Sequence, residues 1–141
     1  MKKFIFSIFI LFVFTQAGCT PPANVSITKD VPIEINSGNT FSFTITVDNQ
    51  DNQKHELRSI DIDNTFLKGI YIVSTTPDIK EEYNVFGQQI HEFKKDIPES
   101  SKENVVFTAK AIKPGDFSGD LDVCIDGDAS CLNNSIRIIV N

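Results

Sequence analysis

Phe41-Ser-Phe-Thr-Ile-Thr-Val-Asp48 decides the fold. Phe41, Phe43, Ile45 and Val47 share one phase, and Ser42, Thr44, Thr46 and Asp48 share the other. Successive side chains of a strand face opposite sides, so this period of two predicts a half-buried strand with its odd residues in the core. Turn chemistry brackets it: Asn36-Ser-Gly-Asn39 lies before it, and the polar run Asp48-Asn-Gln-Asp-Asn-Gln53 after it.

Similar patterns spread outward to 24–28, 31–35, 56–63, 69–74, 90–96, 105–112, 119–125 and 133–140. Val105, Phe107, Ala109 and Ala111 repeat the alternation, and Pro114-Gly115 marks a turn before the last hairpin. The stretch 77–86 is expected to hold a helical turn around Lys80-Glu-Glu-Tyr83. No long 3.6-residue period and no internal repeat occurs beyond the first eighteen residues. Short strands between turn signals predict an all-β chain: one antiparallel β-sandwich over 24–141.

The N-terminus carries an address. Lys2 and Lys3 precede an apolar run from Phe4 to Phe14, then Thr15-Gln-Ala-Gly-Cys19. A basic tip, a short apolar stretch and small residues make a secretory signal peptide. As a helix the run would reach about 16 Å, too short for a hydrocarbon core of about 30 Å. Ala17-Gly18-Cys19 resembles the lipobox of bacterial lipoproteins, which implies cleavage after Gly18 and lipidation of Cys19. Gln16 departs from that pattern, where an apolar residue is usual. Thr15-Gln16-Ala17 also fits an ordinary signal peptidase site, whose use would release a soluble secreted protein. Thr20 is not the aspartate that retains enteric lipoproteins in the inner membrane, so the resemblance implies outer-membrane or surface placement. The expected organisation is a signal peptide at 1–18, lipidated Cys19 with a short extended tether at 19–23, and the sandwich at 24–141.

Charge and cysteines agree with export. Thirteen basic residues face nineteen acidic ones for a net charge of −6, and loss of Lys2 and Lys3 makes it about −8. Phosphate binding depends on clustered Lys and Arg, so a nucleic-acid partner is not expected. Membrane attachment falls to the acyl chains on Cys19. Three cysteines are an odd number for an exported chain. With Cys19 lipidated, Cys124 and Cys131 remain. Leu121, Val123 and Ile125 put Cys124 on the other face of their strand, and Leu132, Ile136, Ile138 and Val140 do the same for Cys131. Asp126-Gly127 supplies a turn between them. Both thiols thus share the outer face of one hairpin, which predicts a disulfide.

Catalytic patterns are missing. No nucleophile elbow, phosphate loop or His-Glu-x-x-His occurs, and His55 and His91 are expected as surface side chains. No catalytic residue, cofactor or metal ligand is assigned. Asp61, Asp63 and Asn64, then Asp116, Asp120 and Asp122, then Asp126 and Asp128 form acidic groups. None has the order of an EF-hand with its closing glutamate, and Asp126 and Asp128 are the best placed for calcium.

The runs from Val105 to Val140 resemble the final three strands of bacterial immunoglobulin-like modules. Phe107 and Ala109 belong to one strand; the Lys113-Pro-Gly-Asp-Phe117 corner, the 119–123 strand and a closing hairpin follow. The cysteine–tryptophan–cysteine arrangement of antibody domains is absent, because the chain has no Trp. The resemblance implies an adhesion or spacer role in the cell envelope. The leading expectation is therefore an envelope-anchored, non-catalytic lipoprotein that binds a protein or glycan, or serves as a structural subunit. The alternatives are a small secreted enzyme or inhibitor with a site of scattered residues, and a calcium-dependent adhesion module.

Overall fold

A computed structural model describes residues 20–141; the expected signal peptide at 1–18 and Cys19 lie outside the described residues. In chain order the elements are β1 (Val25–Asp30), β2 (Glu34–Ile35), β3 (Thr40–Asn49), β4 (His55–Asp63), α1 (Asn64–Leu67), β5 (Ile70–Thr76), β6 (Glu81–Val85), β7 (Gln88–Ile97), β8 (Ser101–Ala111), β9 (Gly115–Ile125) and β10 (Cys131–Val140). They form a four-stranded sheet, β1-β3-β8-β5, and a six-stranded sheet, β2-β10-β9-β4-β7-β6. Every pairing is antiparallel except β2 with β10, where a two-residue strand runs parallel to the chain's last strand.

The alternation at 41–48 does what its period requires. Phe41, Phe43, Ile45 and Val47 are buried, and Phe43 pairs with Phe107 of β8 in the ladder. Their rings stack with centroids 4.8 Å apart. Phe93 and His91 come from the other sheet to meet Phe107 edge-on, at 6.4 Å and 5.4 Å. Offset and edge-on contacts of this kind add to the area that the rings bury. Gly69 is needed beside this core, because a Cβ there would stand 2.2 Å from the ring tip of Phe117.

Strands β1, β3, β8 and β5, facing β10, β9 and β4, reproduce the four-plus-three frame of an immunoglobulin-like sandwich. The hairpin β6–β7 is additional and extends the larger sheet beyond β4.

One expectation is corrected. The helical turn at Lys80-Glu-Glu-Tyr83 is strand β6, paired with β7 through Glu82↔His91 and Tyr83↔Ile90. Pairing with β7 satisfies their backbone groups along the whole segment, which a single uncapped helical turn could not do. Residues 20–24 run along the domain. Gln50 donates its backbone N–H to Asn24 O, and the Ser130 hydroxyl donates to Thr20 O at 3.2 Å. Pro21 and Pro22 are half-buried against the domain. Helix α1 was not anticipated; Asp63 caps it, accepting from the Thr65 N–H at 2.7 Å.

Candidate functional site

Strand β4 changes step in its middle. Leu57 and Ile60 are both in the core, three residues apart, because the register slips between Leu57 and Ser59 against β7 and β9 alike. Such a bulge re-aims side chains, and here it sends Arg58 and Ser59 to the outer face together. Arg58 reaches Glu92 at 2.9 Å and Asp128 at 2.7 Å. Ser59 stands opposite Cys124, and Asp61 opposite Asp122.

Cys124 and Cys131 face each other across the β9–β10 ladder and are joined by a disulfide, as their strand phase predicts. Cys124 is fully buried even on this outer face. Asp61 Oδ2 lies 3.6 Å from its Sγ, a contact rather than a hydrogen bond, since a disulfide sulfur has no proton.

Asp61 is itself 9% exposed, and its Oδ1 has no hydrogen-bond partner among the described residues. Burial pushes its pKa up to about 6; a hydrogen bond from Ser59 pulls it down, and the charges of Asp122 and Asp128 push it further up. Over this carboxylate lies a groove of about 340 Å³, with Ser59 and Asp61 at one side, Tyr83, Phe86 and Ile90 of the hairpin at the other, and Asp128 completing the wall. That volume is within the range of small-ligand sites.

The hairpin's tip is the most unusual backbone on this face. Phe86 has φ 49° and Gly87 φ 83°. A two-residue turn with both φ positive is the type I′ hairpin turn, which favours Asn-Gly. Gly87 suits it. Phe86 does not, because a side chain in the left-handed region costs roughly 1–2 kcal/mol. No packing offsets that cost, as Phe86 is 100% exposed.

Both histidines depart from expectation. His91 faces the core, fully buried; its Nδ1–H donates to Ile60 O at 3.2 Å, and Nε2, 4.0 Å from Glu82 Oε2, has no hydrogen-bond partner among the described residues. Burial holds its pKa below the ordinary value, so it is a neutral core residue. Adjacent apolar Ile90 suggests an outward His91, but the phase follows Phe93. His55 is 4% exposed, with Nδ1 2.6 Å from Asp126 and Nε2 3.2 Å from Asp51. Burial lowers its pKa, yet hydrogen bonds to Asp126 and then Asp51 outweigh that and raise it.

The acidic groups scatter to separate duties. Asp63 caps α1, Asp116 forms a two-point pair with Arg137, and Asp122 accepts from Gln88 and Asn133. Asp126 is held by His55 and by the Glu56 N–H, and Asp128 by Arg58. The pair best placed for calcium in the sequence is thus turned toward protein partners. Among the described residues, Asp61, Cys124 and Cys131 are close enough to share a metal. Their sulfurs are bonded to each other and offer no thiolate.

No protein-family model matches the chain, and no curated protein matches it by sequence. Solved structures match its fold. The cupredoxin domain of amoB from Nitrosocaldus yellowstonii aligns with TM-score 0.51 at 12% identity, over 86% of this chain and 89% of that one. AvmM, which catalyses a macrocyclization in alchivemycin A biosynthesis, aligns at 0.54 and 8% identity, over 84% and 89%. A CARDB domain from Pyrococcus furiosus, solved with two metal ions, aligns at 0.51 and 9%, over 83% and 87%. At such identities the likeness establishes a shared β-sandwich and nothing of its chemistry.

Proposed function

We propose that this chain is an exported, lipid-anchored, non-catalytic sandwich domain that holds an envelope partner at the β6–β7 groove. The observation that carries the reading is Phe86, a fully exposed aromatic kept in a costly conformation at the groove's mouth. Backbone strain without a packing return is characteristic of sites where a partner supplies the return. Exposed Tyr83 and Val85 beside it extend the apolar surface along an edge strand, a natural place for docking.

The route of the chain favours the same face. Thr20 rests against Ser130, at the end of β4 that begins with His55. Phe86 is at the other end of β4, where Asn64 N–H donates to Gly87 O. The nine residues of β4 span about 27 Å. An anchor on Cys19 would hold the first end at the bilayer and present the tip away from it. His55 does not favour catalysis: with carboxylates at both ring nitrogens, it has no lone pair free to act as a base.

Mass spectrometry of the membrane fraction tests the anchor. An acylated Cys19 at the N-terminus is expected, and Cys19→Ser should move the protein to the soluble fraction. A mature N-terminus at Gly18, with no lipid, would overturn anchoring.

A further inference from the structure

We infer that the groove over Asp61 binds an organic cation, a primary ammonium or guanidinium on an apolar stem such as a lysine or arginine side chain. The inference rests on reading this groove as the binding face and names the chemistry it selects. Asp61 is a buried carboxylate whose Oδ1 has no hydrogen-bond partner among the described residues. A buried charge without compensation is costly, and a bound cation would offset it. Among the described residues, no Lys or Arg lines the groove, while Asp128 does and Asp122 stands opposite Asp61 in the sheet. Arg58, the cation next to it, is already shared between Glu92 and Asp128.

The walls fit the rest of such a ligand. Tyr83 and Phe86 offer aromatic faces to a cation, and Val85 and Ile90 offer apolar contact to its stem. A calcium ion needs six to eight oxygens. Here Asp122 is engaged by Gln88 and Asn133, Asp128 by Arg58, and much of the wall is apolar. A neutral sugar could stack on the rings but would leave the Asp61 charge uncompensated.

The test is an NMR titration of the isotope-labelled full chain in detergent micelles at neutral pH. The probes are Nα-acetyl-lysine amide, its norleucine counterpart, spermidine and calcium chloride. Saturable shifts at Ser59, Asp61 and Gln88 are expected with lysine amide or spermidine, with norleucine about tenfold weaker. Tighter binding of the lysine compound points to a protein partner, and tighter binding of spermidine to a free amine; either supports the inference. Asp61→Asn should abolish the shifts while its melting temperature holds or rises, which separates lost binding from lost folding. Equal binding of norleucine, shifts with calcium alone, or an Asp61→Asn variant that still binds lysine amide would each overturn it. If no cation binds but partner contact at Phe86 persists in cells, the cation falls and the binding-domain reading stands.

Discussion

Phe86 occupies a turn position that asparagine would hold at lower cost. Phe86→Asn should therefore raise stability by about 1 kcal/mol in urea unfolding. A loss of stability would show that the ring packs in solution and is not reserved for a partner. Asp61 makes the second prediction at this scale. Its folded pKa of about 6 lies above the ordinary 3.8, so the folded state holds that proton more tightly. Its contribution to stability therefore falls as pH rises from 3.8 to 6, and the full penalty remains at neutral pH. Asp61→Asn should be more stable than wild type at neutral pH, by up to about 3 kcal/mol. That advantage should vanish below pH 3.8. An equal difference at both ends of the range would mean that Asp61 does not titrate as a buried acid.

At the scale of elements, the chain's strands were legible wherever alternation ran unbroken, as at 41–48 and 105–111. Phase also sufficed to pair Cys124 with Cys131, because each opposed an apolar row. The bulge was written less plainly, in the three-residue step from Leu57 to Ile60, and it is what turns Arg58 and Ser59 to the same outer face. The hairpin β6–β7 was harder still. Glu81-Glu-Tyr-Asn-Val85 is exposed along its whole length, so burial imposes no alternation on it, and Phe86-Gly87 lacks the usual Asn-Gly. Asp61 gave no sign of its burial, which depends on β4 lying beside β9 in one sheet, with Ser59 opposite the disulfide-bonded Cys124. That disulfide closes a short loop, with a sequence separation of 7. Replacing both cysteines with alanine should cost about 2.5 kcal/mol in chemical denaturation. A change near zero would mean that the β9–β10 turn holds the hairpin unaided.

At the scale of the whole molecule, a seven-stranded immunoglobulin-like frame supplies most of the core, and the added β6–β7 hairpin lends it Phe93 and Ile97. The groove takes one wall from the frame, at Ser59, Asp61 and Asp128, and the other from the hairpin. Strand β6 does not alternate in burial, because it is exposed along its whole length. The end of β4 beside Thr20 and the end beside Phe86 lie apart, which suits a domain fixed at one pole and engaged at the other. The central claim is that the Phe86 tip is the face that meets a partner. A photoreactive phenylalanine analogue placed at position 86, in cells that produce the protein, tests it most directly. Position 33 is the control, since Ile33 is 82% exposed on the opposite edge beside β10. A discrete cross-linked species is expected from position 86 and none from position 33. Cross-linking from position 33 alone, or from neither position, would contradict it.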